Sequence, residues 1–474
     1  MRRSKARGLL VLAAASVLGG CSLAPALDIP DVPAAPAYKE ESPWARAAPA
    51  DELPREAWWT LYGDAELDAL QSRLVAGSPD LAAALARYQQ ARAFTDQLRS
   101  GFYPSIVASA NAQRLRQSQE KPLRVLGPTS PDNYSSVTLG AEVDYEFDLW
   151  GRIRNQVASG AATEAAAQAD LENARLSLQA QLADDYIALR GLDREVALFD
   201  ATVTAYGKAL ELTHSRHDGG IASGLDVSRA ETQLESARSQ AAQQVAQRAV
   251  LEHAIAALIG ESPSRFAIEP RLAEIRLPAI PPGVPSTLLQ RRPDIAAAQR
   301  RVMAANATIG VARAAYFPAV TLSAPVGYQN AGIGNLIAAP NLFWSIGPTL
   351  LLTAFDAGKR NAQVAQARAA LDENAARYRG VVLGAFQQVE DNLALLNHYR
   401  TAAQAERAAV DAAQRSLAFA TSRYRDGAAS YLEVVTSQAA ALQAQRDALD
   451  LDTRQRRASV QLVRALGGGW SATP

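Results

Sequence analysis

Two stretches of this chain are one segment written twice, and that duplication limits the possible fold more than any other feature. Ser78-Pro79-Asp80-Leu81 matches Arg292-Pro293-Asp294-Ile295, and Phe102-Tyr103-Pro104-Ser105-Ile106 matches Tyr316-Phe317-Pro318-Ala319-Val320, always at an offset of 214 residues. Ser215-Arg216-His217 through Gly220 and Leu225-Asp226-Val227 match Ser422-Arg423-Tyr424 through Gly427 and Leu432-Glu433-Val434 at an offset of 207. Gly151/Gly358 and Ile259-Gly260/Leu466-Gly467 share that second offset. A period of about 210 residues is too long for a solenoid. The chain reads as two copies of one large unit, residues 56–266 and 291–474, with a linker at 267–290.

Each copy runs helix, strand, loop, strand, very long helix, short turn, helix. Strands are expected over 104–117, 135–149, 318–329 and 342–353, the last being the least regular. From Val137 to Leu149 every odd position is apolar or aromatic, while the even ones are Thr138, Gly140, Glu142, Asp144, Glu146 and Asp148. These 13 residues of alternation exceed the roughly 9–11 that a barrel strand needs to cross a bilayer. A half-buried sheet of a soluble protein alternates in the same way, but not between helices as long as these. With the odd positions facing lipid, Glu142, Asp144, Glu146 and Asp148 face a barrel lumen and give it an acidic lining. Phe102, Tyr103, Trp150, Tyr316, Phe317, Phe343, Trp344 and Phe355 collect at strand ends, as a membrane girdle requires.

Between Arg152 and His217 there is no proline, and Ala, Gln, Glu, Arg and Leu dominate. One helix of 66 residues would be roughly 100 Å long, and its counterpart over 359–425 has 67. Turns at 218–224 and 426–430 return the chain into helices 225–259 and 431–466, and a further helix is expected over 291–315. Globular helices average about 11–12 residues, so paired helices of this length imply a coiled-coil shaft. Four strands cannot close, since the smallest membrane barrels use about eight, and an open edge cannot sit in lipid. Several copies must pool their strands into one barrel that the helices continue.

The N-terminus carries Arg2, Arg3, Lys5 and Arg7, then an apolar run from Leu9 to Leu18 that is too short to span a bilayer. It ends in Leu18-Gly19-Gly20-Cys21, which resembles a bacterial lipobox: residues 1–20 would be a signal peptide and Cys21 a lipidated first residue, sorted to the outer membrane with Ser22 next. Cys21 is the only cysteine, so no intrachain disulfide can form. Prolines at 25, 30, 33, 36, 43, 49 and 54 make residues 21–55 an extended strap. Without residues 1–20 the chain has 44 Lys and Arg against 48 Asp and Glu, a net charge of −4 that offers no electrostatic case for nucleic acid. No later segment has 18 uninterrupted apolar residues, so any membrane crossing is made by strands.

The chain closely resembles the TolC-type outer-membrane efflux factor family, in its NodT-like lipoprotein branch. The resemblance rests on Trp58-Trp59…Leu61-Tyr62-Gly63-Asp64, Phe147-Asp148-Leu149-Trp150-Gly151-Arg152, Arg291-Arg292-Pro293-Asp294-Ile295, Phe355-Asp356-Ala357-Gly358-Lys359-Arg360 and Ala465-Leu466-Gly467-Gly468-Gly469-Trp470. It implies a mixed α and β membrane protein: a homotrimer with a 12-stranded transmembrane β-barrel above a periplasmic α-barrel, and an equatorial belt from residues 56–77, 260–290 and 467–474. It also implies the exit duct of a tripartite pump, docking a periplasmic adaptor and fed by an inner-membrane, proton-driven transporter. No cofactor is expected beyond the covalent lipid on Cys21.

By the same resemblance, Asp226 and Glu433 ring the pore at its periplasmic tip. A second acidic position common in relatives is Thr436 here and Arg229 in the first copy, and Ala429 replaces a basic residue that clamps the closed state in some relatives. Arg423, Tyr424 and Arg425 beside Asp226 are the substitute bonds expected. Glu211, His214, His217 and Asp218 have spacing that permits a metal site, but solvated helix positions are the better reading. Gly219–Gly224 lacks the Lys-Ser/Thr of a phosphate loop, and Gly220-Ile221-Ala222-Ser223-Gly224 is not a nucleophile elbow, so no enzyme is expected. The functional expectation is a passive outer-membrane conduit for drugs or toxic metabolites. The alternatives are the exit duct of a type I protein secretion system, and a surface adhesin or structural coiled-coil lipoprotein.

Overall fold

The computed structural model describes residues 22–29, 32, 35, 37–39, 57–118, 132–272, 275–280 and 291–468. The expected signal segment, Cys21, most of the strap, part of the linker and the chain beyond 468 lie outside the described residues. The element order is α1 (Ala65–Gly77), α2 (Pro79–Arg99), β1 (Ser105–Arg116), β2 (Asn133–Phe147), α3 (Arg152–Asp218), α4 (Gly224–Leu258), α5 (Pro293–Ala314), β3 (Ala319–Asn330), β4 (Leu342–Trp344), β5 (Gly347–Leu351), α6 (Lys359–Arg425) and α7 (Tyr431–Ala465). Two compact units emerge, and neither is a repeat. One comprises 1–30, 89–167 and 298–377, the other 31–88, 168–297 and 378–474, so each draws on both copies.

The first unit holds the sheet. Its strands are antiparallel in the order β1-β2-β3, with β4 and β5 both paired to β3. The register turns the alternation into two faces. Ile106, Val143 and Ala324 lie side by side, as do Ala108, Ala141 and Val326, and Ala110, Leu139 and Tyr328. Across the other face run Ser105, Asp144 and Ser323, and Asn111, Thr138 and Gln329. Among the described residues β1 pairs only with β2, and β4 and β5 only with β3, so both edges are open. No helix of the described residues is long and apolar enough to cross a membrane.

The single strand expected over 342–353 is a correction: it is broken into β4 and β5. The register is continuous across the gap, with Trp344 opposite Val326 and Gly347 opposite Ser323. Ser345 still donates its N–H to the Pro325 carbonyl (3.1 Å). Pro325 has no N–H to return the bond, and Pro348 adds a second missing donor on the edge, where proline is tolerated. A second correction concerns Phe343, expected in the lipid-facing girdle. It pairs with Gly327 on the polar face, while Trp344, 68% exposed, is on the apolar one.

The second unit is helical. α3 and α6 each run 67 residues, α4 and α7 each 35. Two of the three glycines within α3 mark places where helices nearly touch. A Cβ at Gly191 would lie 2.5 Å from Thr453 Oγ1 of α7, and in the first unit a Cβ at Gly160 would lie 2.6 Å from Leu98 of α2. Leu182, Ile187, Leu189, Ile255, Val389, Leu393 and Leu462 are fully buried in the helical unit. Beside this core lies a buried ion network invisible to hydrophobic patterning. Arg190, with its side chain 1% exposed, donates to Asp193 (2.6 Å), the Glu269 carbonyl (2.9 Å) and the Tyr186 hydroxyl (3.1 Å). Arg248 donates to Asp193 (2.6 Å) and Glu252 (2.8 Å). Each buried charge has a partner, without which it would cost several kcal/mol.

Candidate conduit wall and tip

The polar face of the sheet carries three of the four acidic residues expected in a lumen, Glu142, Asp144 and Glu146. Glu142 is exposed, opposite Val107 and Pro325, and Asp144 accepts a hydrogen bond from Ser323 Oγ (2.5 Å). Glu146 is taken up by Arg152, whose Nε donates to it at 2.8 Å. Asp148 is a correction: it lies beyond β2 and serves as the N-terminal cap of α3. Its oxygens accept from Ile153 N (3.0 Å), Arg154 N (2.8 Å) and Arg154 Nε (3.1 Å), which satisfies orphan donors at the positive end of the helix. Asp356 does the same for α6, accepting from Gly358 N (3.1 Å) and Arg360 N (3.2 Å). At the sheet's junction with the helices, Trp150 stacks on Phe317 at 4.6 Å and donates to the Pro318 carbonyl (2.9 Å).

Residues Ser22–Pro25 occupy a built groove in the same unit. Ser22 Oγ donates to Asn155 Oδ1 (3.0 Å), Arg313 Nη1 donates to the Leu23 carbonyl (3.1 Å), and Asn306 Nδ2 donates to the Pro25 carbonyl (3.0 Å). Asn155 and Asn306 are both buried. Gly310 leaves the room: a Cβ there would lie 2.8 Å from Ala24 N and 2.6 Å from the Asn155 amide. The prolines predict an extended strap here, but not the groove that holds its first residues.

At the turns, the expected gate residues split into two local sets. Asp226 belongs to a capping box with Ser223, whose Oγ donates to Asp226 Oδ2 (2.9 Å) and accepts from Asp226 N (3.2 Å). Arg229 is 3.6 Å from its other oxygen. Glu433 pairs with Arg423 at 3.4 Å, and Arg423 also donates to the Ala428 carbonyl (3.1 Å). Thr436 returns its hydroxyl to the Leu432 carbonyl (2.8 Å), an ordinary helix bond. The structure therefore attaches Arg423 to Glu433, in place of the expected Asp226. Tyr424 is buried in a cluster with Ala230, Ala420, Tyr431 and Val434, and its hydroxyl has no partner.

At the turns, a bond between the two hairpins comes from a residue outside the expected gate set. Arg216, in the last turn of α3, donates to the Tyr424 carbonyl (2.7 Å) and the Arg425 carbonyl (3.3 Å), and its guanidinium lies 4.6 Å from the Tyr424 ring centroid. These carbonyls end α6, where a cation satisfies orphan acceptors and the negative end of the helix dipole. Arg216 is the counterpart of Arg423 in the duplication, and that equivalence was the signal available. The spaced histidines turn to different partners: His217 Nδ1 lies 2.9 Å from the Ala222 carbonyl, His214 Nε2 3.8 Å from Glu231.

The outer membrane efflux protein family model matches residues 70–261 and again 284–468. The chain is 32% identical over 472 residues to outer membrane protein OprJ of Pseudomonas aeruginosa, covering 99% of this chain and 97% of that one. It is 32% identical over 469 residues to the toluene efflux pump outer membrane protein TtgC of Pseudomonas putida, covering 98% and 96%. The crystal structure of the outer membrane protein VceC from Vibrio cholerae superposes with a TM-score of 0.81 at 31% identity, over 87% of this chain and 99% of that one.

Proposed function

Because the chain belongs to the outer membrane efflux protein family and is thus an outer-membrane protein of a Gram-negative bacterium, we propose that it is the passive, tip-gated duct of a tripartite pump. Three copies pool their strands into one 12-stranded barrel, whose polar face lines the channel and whose apolar face meets lipid. A periplasmic adaptor docks on the helices, and an inner-membrane, proton-driven transporter supplies both cargo and energy. Cargo is small molecules such as drugs or toxic metabolites, chosen by the transporter, since a wide duct selects little. Asp226 and Glu433 narrow the tip, and Cys21 carries the lipid that anchors each copy.

One observation carries this reading: an open sheet with an apolar face, a polar face and two unpaired edges. Such edges in a bilayer need partners, and further copies supply them. The test is ionic current through the purified protein in a planar lipid bilayer. We expect stable channels with weak cation preference, lost when Glu142→Gln and Asp144→Asn are combined. A silent bilayer, or an anion preference, would overturn the reading.

A further inference from the structure

From the glycine pair beneath Phe343 we infer that this side chain forms an aromatic pad on the polar wall of the duct, a contact surface for planar aromatic cargo in transit. The inference rests on the reading of that face as the lumen. Gly140 and Gly327 are direct cross-strand partners, and Phe343 pairs with Gly327 from the other side, so the three positions stand in one row on one face. A Cβ at Gly327 would lie 3.1 Å from Phe343 Cε1, and one at Gly140 would lie 3.7 Å from Phe343 Cζ. The ring thus extends over both glycines, two strands away from its own. A Cβ at Gly327 would also lie 2.5 Å from the Leu139 carbonyl oxygen, so the hollow is bounded by backbone. Gly327 is buried and Phe343 half-buried.

The surroundings make this ring unusual. On the same face its neighbours are Ser109, Thr138, Glu142, Pro325 and Gln329, five residues without an aromatic group. Packing over glycines stabilises the sheet by covering bare backbone, and it also fixes the ring in place. A fixed π-surface on a polar, acidic wall attracts flat aromatic groups by stacking and cations by the ring quadrupole. Three copies would set three such pads at one level of the barrel. Saturated solutes of equal size gain no stacking there.

The experiment compares block of single-channel current by benzyltrimethylammonium with block by its saturated, size-matched analogue bearing a cyclohexylmethyl group. Wild type should bind the aromatic cation roughly 2- to 10-fold more tightly than the saturated one. Phe343→Leu should bring that ratio to about one, while Phe343→Tyr, which keeps the ring, and Trp344→Leu, on the opposite face, should leave it unchanged. A ratio near one in wild type, or a ratio surviving in Phe343→Leu, would overturn the pad. Should Phe343→Leu fail to assemble, the Phe343→Tyr ratio and thiol labelling decide. Phe343→Cys should react with a water-soluble maleimide in the bilayer, and Trp344→Cys should not; the reverse pattern sinks the proposal. Absence of any wild-type current would sink the duct reading itself, a result distinct from a conducting channel without aromatic preference.

Discussion

Arg216 and Arg423 occupy the same place in the two copies, yet one reaches across to the other hairpin and the other stays within its own. Two hydrogen bonds from a guanidinium to terminal carbonyls, with a ring beneath, are together worth about 1.5–3 kcal/mol. Arg216→Ala should therefore loosen the tip and shift an open–closed balance by at least roughly tenfold. Open probability in single-channel records checks this. Tyr424→Phe should leave those records unchanged, because the hydroxyl holds no bond. Asp185, on α3, makes a pH prediction. Burial first, then neighbouring Asp184, push its carboxyl from 3.8 up to about 6, with Arg457 opposing. A folded pKa above the unfolded one favours the protonated form, so the stabilisation is complete below pH ~4 and lost as pH rises through about 6. Asp185→Asn should raise thermal stability at pH 7.5, on the order of 1 kcal/mol after solvent screening, and change little at pH 4. Unfolding scans at the two pH values measure the difference.

Elements differ in how much of themselves they announce. The ends of α6 fall at Lys359 and Arg425, where Gly358 and the Asp426-Gly427 turn interrupt a stretch of good helix formers. The two faces of β2 were plain from alternation, which depends only on local backbone geometry. The break at Ser345–Ile346 was not, because its cause is Pro325 on the adjacent strand, twenty residues earlier in the chain. Asp148 looked like one more member of an alternating series, and only the position of the helix start made it a cap. Phe343, Arg190, Arg216 and the groove for Ser22–Pro25 depend on long-range partners that one sequence does not name. That groove gives a prediction of its own. Gly310→Ala should release Ser22–Pro25 from its bonds, because a Cβ at Gly310 would meet Ala24 N at 2.8 Å and the Asn155 amide at 2.6 Å. Limited proteolysis of the Ser22–Pro25 segment measures the release, and Gly207→Ala, facing open space, is the control.

At the scale of the whole molecule, the open edges demand company. The purified protein in mild detergent should have the mass of three chains and migrate as a heat-sensitive trimer on a denaturing gel; a monomer by light scattering would contradict the assembly. Duplication explains how one gene product reaches that number of strands, and the equal helix lengths show what the duplication has to preserve. α3 and α6 have 67 residues each and α4 and α7 have 35 each, while the offset between copies slips from 214 to 207 in the strand region. A single inserted residue turns everything downstream on a helix by about 100°. Hairpin loops absorb such changes and the rods do not, so length along the rods acts as a ruler that mutation can cut only at its joints.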